Sequence, residues 1–224
     1  MRSAQRQAKI ASKDGRGLSP FSPAQPCLIV GNGPSADAIP SDQWPGQVIG
    51  TNRALVLQAC QGVKFSALVM RDRYRALRID QKLGEKYHEE FWKPSDVWKV
   101  GCRQTHCDEY LRYAETWQPT RTEHRDGDHV IKNSSVVTMA LNWAWIHGAR
   151  NFQLLGVDYH GGHAKMIHPF ENDTRGSGGC RRECISNIEK QFAEVVEAIN
   201  QGGGSIVNIS PGTALKAVPT LEQL

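Results

Sequence analysis

The residues best suited to chemistry lie directly after a short apolar segment at residues 27–30. They are Gly31, Asn32, Gly33, Pro34 and Ser35. Two glycines allow a backbone to approach a ligand closely, and Ser35 is a candidate N-cap for a following helix, whose free N–H groups attract anions. The pattern predicts a phosphate-binding loop, and the alternative is a tight strand-to-helix turn without a ligand. The loop is neither a Walker loop nor a full G-x-G-x-x-G, so ATP hydrolysis and ordinary dinucleotide binding are poorly supported.

Polar residues follow three other apolar segments in the same way. Because ligands of open α/β sheets bind beyond the carboxyl ends of the strands, we expect these residues to share one site. They are Thr51, Asn52 and Arg53, then Arg71 and Asp72, then Gly156, Asp158 and Tyr159. Asp158 can accept hydrogen bonds from a base amino group or from ribose hydroxyls, or it can merely begin the next turn.

A second group precedes a long apolar segment that ends at Gly148, and consists of Asn133, Ser134 and Ser135. Capping residues before a long apolar segment and a glycine after it predict a buried helix. The serine hydroxyls and the helix N-terminus can bind a carboxylate or phosphate oxygen, and plain N-capping explains them equally well.

The loop at residues 160–180 is rich in glycine and histidine. His160, His163 or His168 can serve as a general base near neutral pH, and the loop can act as a lid. The histidine spacing matches no common zinc site. A zinc site from Cys102, Cys107, Cys180, Cys184 and His106 is less favoured than free thiols, so no metal site is predicted.

The elements needed to position these residues alternate along the chain. Apolar segments typical of buried strands occur at residues 27–30, 47–50, 65–70, 97–100, 151–156 and 205–209, and helices are predicted at 134–147 and 181–200. This alternation predicts an α/β fold with a mostly parallel, Rossmann-like, doubly wound sheet. Residues 26–224 form one domain in this interpretation, with residues 160–180 as a partly ordered lid.

Composition supports one medium-sized domain, since 39% of the 224 residues are hydrophobic and 22% are charged. Much of the net charge of +4 comes from the first sixteen residues. We therefore predict a flexible basic leader at residues 1–25, and nucleic-acid binding by this leader is the less favoured alternative. No apolar segment is long enough to span a membrane and no signal peptide is recognisable, so a cytoplasmic location is expected. A homo-oligomer is possible.

Residues 28–35, Leu-Ile-Val-Gly-Asn-Gly-Pro-Ser, resemble the first strand and loop of bacterial sialyltransferases of glycosyltransferase family 42. Related loops occur in the motility accessory factor proteins and in archaeal 6-hydroxymethylpterin diphosphokinases. Residues 51–53, 133–136, 156–159 and 208–215 resemble further blocks of the family in the same order. The resemblance covers residues 27–215 in scattered blocks, of which the first is specific.

The resemblance implies a nucleotide-sugar donor, with CMP-sialic acid as the model, and catalysis without a metal. It implies that Asn32, Gly33 and Asn52 contact phosphate and sugar, that Ser134 and Ser135 lie near the donor sugar, and that Asp158 lies near the nucleotide. The family uses tyrosines on the leaving phosphate and a histidine base. Here Tyr159 and His160 stand where the family has Phe-Tyr, and residues 179–181 lack the base histidine, so a histidine of the loop would replace it.

Three functions remain open from the sequence. The first is a nucleotide-sugar-dependent glycosyltransferase acting on an unknown acceptor. The second is a diphosphokinase acting on a pterin-like alcohol, with Mg²⁺ held by Asp72 or Asp158. The third is a non-catalytic protein that binds a nucleotide or nucleic acid.

Overall fold

The computed structural model describes residues 21–39, 44–70, 88–92, 95–101, 109–110, 135–159 and 182–223. Several predictions fall outside these ranges. They are the leader up to residue 20, the loop at 160–180, and the candidate residues Arg71, Asp72, Cys102, His106, Cys107, Asn133, Ser134, His160, His163, His168 and Cys180.

Within these described ranges, seven parallel strands form one sheet in the order β5-β4-β3-β2-β1-β6-β7. In chain order they are β1 (Pro26–Val30), β2 (Gln47–Thr51), β3 (Ala67–Met70), β4 (Trp98–Gly101), β5 (Glu109–Tyr110), β6 (Asn151–Leu155) and β7 (Ser205–Asn208). The predicted α/β class and parallel sheet are confirmed. The first five strands run outward from β1 in one direction and the last two in the other, so the strand order reverses between β1 and β6.

In the part of the chain that the structure describes, three α-helices accompany the sheet: α1 (Leu55–Gln61), α2 (Val136–Ile146) and α3 (Arg182–Gln201). Short 3-10 helices span Pro34–Ala38 and Leu221–Gln223, and a π-helical turn spans His88–Trp92. Nine successive residues of α2 are buried, as its apolar sequence predicts. Within the ranges that the structure describes, no helix has the length and apolarity needed to cross a membrane.

The side chains of β1 alternate between two hydrophobic cores on opposite faces of the sheet. Cys27 and Ile29 face a core that includes α2 and the Phe192 side chain of α3. Leu28 and Val30 face a core that includes α1 and Trp92. Because both faces are covered, the strands are apolar along their whole length, and the doubly wound arrangement is confirmed.

The residues directly before β1 contact α2 and the start of β6. Phe21 is buried, and its ring lies edge-on to Trp143 at a centroid distance of 5.6 Å. Its N–H donates to the carbonyl of His147 (3.1 Å), and the amide of Asn151 donates to the carbonyl of Pro23 (2.9 Å). Residues 21–25, which were predicted to belong to the leader, therefore pack on the domain.

Candidate active site

The reversal of strand order places the carboxyl ends of β1 and β6 side by side. Loops that leave neighbouring strands in opposite directions separate at such a point and open a crevice, which is where open α/β sheets bind ligands. The loop after β1 contacts both the end of β2 and the turn after β6 here. These three segments contain nearly all of the described residues that were predicted to form the site.

The turns after β1 and β6 interlock through their backbones. The N–H of Gly31 donates to the carbonyl of Leu155 (2.7 Å) and that of Gly33 to the carbonyl of Gly156 (2.8 Å). In return, the N–H of Gly156 donates to the hydroxyl of Ser35 (2.9 Å). Gly156 has a φ of +71°, and a Cβ there would lie 2.8 Å from the Cβ of Ala36, so both its backbone conformation and the close approach require glycine.

Asp158 fills the space that Gly33 leaves. A Cβ on Gly33 would overlap the Oδ2 of Asp158, and this same oxygen accepts a hydrogen bond from the N–H of Ser35 (3.1 Å). The Asp158 side chain is 1% exposed. Its other oxygen, Oδ1, is buried and has no hydrogen-bond partner within the part of the chain that the structure describes. A buried acceptor without a donor is rare in proteins and calls for an explanation, of which a hydrogen bond from a bound molecule is one.

The loop at residues 31–35 differs from the prediction in two respects. Ser35 does not cap a helix; the cap position is Gly33, and the helix that follows is a five-residue 3-10 helix with Pro34 in its first turn. The amides of Gly31, Gly33 and Ser35 are already engaged within the protein, because each donates to the last residue of β6 or to the turn that follows it. The position beside the Ser35 amide that an anion would take is already occupied by the carboxylate of Asp158.

Asn32 connects the loop after β1 to the end of β2. Its Nδ2 donates to the carbonyl of Thr51 (2.7 Å), and its Oδ1 accepts from the N–H of Arg53 (3.2 Å). The hydroxyl of Thr51 donates to the carbonyl of Val30 (2.8 Å). Between them, Asn52 adopts the left-handed conformation with a φ of 49°, which asparagine tolerates better than most residues. The Asn32 side chain thus orders the end of β2, with both of its polar ends engaged.

Ser135 and Tyr159 have structural contacts of their own. Ser135 caps α2 in a capping box: its Oγ accepts from the N–H of Thr138, and its own N–H donates to the Thr138 hydroxyl, both at 3.1 Å. The ring of Tyr159 lies 6.0 Å from that of Phe192 in an edge-on arrangement. Tyr159 has a φ of 56°, a strained conformation for a bulky residue, and such strain concentrates at functional sites.

Three residues at and after the end of β7 support the site and were not predicted individually. Asn208, Ser210 and Thr213 all hydrogen-bond to the backbone of Val157. Their signal in the sequence is the polar run 208–213 around Pro211 and Gly212, which enters the sequence analysis only as part of the family resemblance. The contact of this run with the turn after β6 depends on β7 lying beside β6, which the sequence does not show.

Cys27 lies in the core beneath this region rather than in the site. Burial raises the pKa of its thiol well above the ordinary value, so the neutral form is favoured and the group is poorly suited to nucleophilic chemistry. No group of three or more His, Cys, Asp or Glu side chains arranged to hold a metal ion occurs among the residues that the structure describes.

Comparison with known proteins identifies similar folds. No protein-family model matches the chain, and no curated protein matches it. Among solved structures, a MAf glycosyltransferase from Magnetospirillum magneticum AMB-1 superposes with a TM-score of 0.56 at 18% sequence identity, over 92% of this chain and 34% of that one. The chain shares the fold of a MAf glycosyltransferase and spans about a third of that protein's length. The predicted resemblance to motility accessory factor proteins is therefore confirmed at the level of the fold.

Two further solved structures are similar to a lesser degree. The sialyltransferase CstII from Campylobacter jejuni, solved with cytidine-5'-monophosphate, has a TM-score of 0.49 at 16% identity, over 89% of this chain and 86% of that one. A thiamine pyrophosphokinase from Bacillus subtilis has a TM-score of 0.41 at 14% identity, over 83% and 60% of the two chains.

Proposed function

We propose that this chain is a nucleotide-sugar-dependent glycosyltransferase whose donor binds at the carboxyl ends of β1, β2 and β6. The observation on which the proposal rests is Asp158, a buried carboxylate at the reversal of strand order. One of its oxygens is held by the Ser35 amide, and the other lacks a partner among the described residues. The fold shared with a MAf glycosyltransferase supports the proposal.

The unpartnered oxygen of Asp158 favours a particular part of the ligand. A buried acceptor without a donor costs about 1–3 kcal/mol, which a ligand hydroxyl or amino group would recover. A phosphate would be repelled by the carboxylate. We therefore assign the ribose hydroxyls or the base amino group of the donor to Asp158, and the phosphate to the neighbouring loop after β2, where Arg53 has a positive charge. CMP-sialic acid remains the model donor.

The reaction transfers the sugar to an acceptor hydroxyl. The acceptor oxygen bonds to the sugar carbon, the bond from that carbon to the phosphate oxygen breaks, and the acceptor proton passes to a base. We propose His160, His163 or His168 as the base, since an imidazole is half-protonated near neutral pH. Tyr159 is the candidate to donate a hydrogen bond to the departing phosphate. We propose that this reaction requires no metal.

Thermal shift with CMP, UDP, ATP and CMP-sialic acid tests the proposal, followed by donor hydrolysis with and without EDTA. At about a hundred times its Kd, a ligand that binds only the native state stabilises it by about 2.7 kcal/mol. We expect CMP compounds to stabilise the protein most, and donor hydrolysis to survive EDTA. If no nucleotide shifts the melting temperature, the proposal is wrong. Strict Mg²⁺ dependence with ATP preferred would indicate the diphosphokinase.

Asp158→Asn is the matched variant for this experiment. Its amide oxygen can still accept from the Ser35 N–H, so we expect the fold to be retained. Its NH₂ group would then occupy the position of the unpartnered oxygen and oppose the donor group of the ligand. The loss of a hydrogen bond to a charged group, about 1.5–3 kcal/mol, predicts at least about tenfold weaker nucleotide binding. Unchanged affinity would exclude Asp158 from the site.

A further inference from the structure

The turn after β6 is held by side chains of one distant segment, residues 208–214, which we term the C-terminal turn. The carbonyl of Val157 accepts from the amide of Asn208 (3.1 Å) and from the hydroxyl of Thr213 (2.9 Å). The N–H of Val157 donates to the hydroxyl of Ser210 (3.1 Å). Both backbone groups of Val157 are thus bound by side chains rather than by a neighbouring strand.

Thr213 is the centre of this network. Its hydroxyl donates to Val157 and accepts from the N–H of Leu215 and from the amide of Asn208, both at 3.1 Å. A hydroxyl has one donor and two acceptor sites, so all three are used. The Oγ1 also lies 3.4 Å from the carbonyl of Asp158, which accepts from the N–H of Ala214 (2.8 Å). The C-terminal turn therefore fixes the backbone of Asp158 as well.

The turn needs such support because its backbone is strained. Tyr159, directly after Asp158, has a φ of 56°, which bulky side chains rarely adopt. A strained conformation persists only where its surroundings determine it. Without the C-terminal turn, the backbone at residues 157–159 would be free to relax. The carboxylate of Asp158 would then leave the Ser35 amide.

We propose that Thr213 is a positioning residue, which holds the backbone of Val157 and Asp158 so that the Asp158 carboxylate stays on Ser35 with its second oxygen directed to the ligand. Thr213 acts through this backbone rather than by touching the ligand. The consequence for ligand binding rests on the proposed function. The consequence for the bond between Asp158 and Ser35 does not, because it is a property of the ligand-free protein.

The first test measures hydrogen exchange of the Ser35 amide by NMR in the ligand-free protein. Thr213→Val replaces the hydroxyl with a methyl group of similar size, Thr213→Ser keeps the hydroxyl, and Ile206→Val is the control. Ile206 is a buried residue in the first half of β7 whose side chain forms none of the hydrogen bonds of this network, so its truncation destabilises the fold while leaving those groups in place.

We expect the Ser35 amide to exchange about tenfold faster in Thr213→Val, because a locally opened hydrogen bond raises exchange without global unfolding. Thr213→Ser should exchange as the unaltered protein does. Ile206→Val should change the exchange rate of the Ser35 amide no more than it changes the rates of amides throughout the sheet. If Thr213→Val also accelerates all amides equally, Thr213 serves only stability and the proposal is wrong.

The second test measures the Kd of the nucleotide that gives the largest thermal shift, at a temperature where circular dichroism shows every variant folded. Thr213→Val should bind about tenfold more weakly, whereas Thr213→Ser and Ile206→Val should bind as the unaltered protein does. Equal affinity of Thr213→Val and the unaltered protein would overturn the positioning role and leave the proposed function intact. If no nucleotide binds any variant, the proposed function fails, while the exchange of Ser35 still decides the role of Thr213.

Discussion

Gly33→Ala tests whether the glycine is required by Asp158 rather than by its own backbone. Gly33 has φ −75° and ψ 169°, extended angles that any residue adopts. Any cost of alanine must therefore come from contacts of the new Cβ. That atom would overlap the Oδ2 of Asp158 and lie 3.0 Å from its Cγ and 2.8 Å from the carbonyl oxygen of Gly156.

The protein has two ways to accommodate this Cβ. If the carboxylate stays, overpacking costs about 1–3 kcal/mol. If it moves, the Ser35 amide loses its partner, at a cost of about 1–3 kcal/mol. With some residual crowding by Gly156, we expect Gly33→Ala to lower the free energy of unfolding by about 2–4 kcal/mol. For a chain of this length, that corresponds to a fall in Tm of about 4–16 °C.

A double-mutant cycle with Asp158→Ala, measured by urea denaturation and circular dichroism, isolates the coupling. Asp158→Ala removes two of the overlapping atoms but not the Gly156 carbonyl, so the two changes together should cost about 1–2 kcal/mol less than their sum. Gly62→Ala is the control: Gly62 has a φ of 71°, and apart from its two chain neighbours no described residue has an atom within 4 Å of the position that a Cβ would take, so its cost is conformational. The cost of Gly62→Ala and the cost of Asp158→Ala should therefore be additive. Additivity within about 0.5 kcal/mol in the Gly33 cycle would refute the reasoning.

Three further predictions concern single side chains. Asn32→Asp removes the donor to the Thr51 carbonyl, so it should lower the free energy of unfolding, measured by urea denaturation, by about 1–3 kcal/mol at neutral pH. The loss should be smaller below about pH 4, where a protonated carboxyl can donate again, and a loss that does not change with pH would contradict this. Ser135→Ala should cost about 1 kcal/mol through the lost cap, with nucleotide Kd unchanged if Ser135 only caps α2; a weaker Kd at full folding would place Ser135 on the ligand. Because burial raises the pKa of Cys27, the unfolded state loses the thiol proton first as pH rises past about 9.0, so the free energy of unfolding should fall there by up to about 1.4 kcal/mol per pH unit. Cys27→Ala should therefore show a shallower fall of Tm between about pH 8 and pH 10, and identical slopes for the two proteins would refute the assignment.

The sequence was sufficient to predict the six longer strands, because buried parallel strands are short apolar runs closed by glycine or polar residues. It was not sufficient for β5, whose two residues, Glu109 and Tyr110, form no apolar run. Helix α1, which was also not predicted, has only seven residues and is too short for a clear period.

The sequence was sufficient to name candidate site residues at the strand ends, but not to show how they contact one another. The rule that ligands bind at strand ends was enough to select Asn32, Thr51 and Asp158. The sequence could not show that the Asp158 carboxylate occupies the position expected for an anion, because this depends on β6 lying directly beside β1. Strand order is decided by packing of the whole sheet. The sequence of the loop alone therefore could not show that its amides donate hydrogen bonds to other parts of the protein.

The interior position of β1 in the sheet has a consequence for biosynthesis. Its partner on one side, β2, follows within about twenty residues, but its partner on the other side, β6, lies about 125 residues further along the chain in the pairing of Ile29 with Leu154, a length that takes roughly 6–25 s to synthesise. Until then one edge of an apolar strand stays open, which is a template for aggregation. We expect ribosome-bound chains that end before residue 150 to recruit chaperones, and release of the complete chain to end that need.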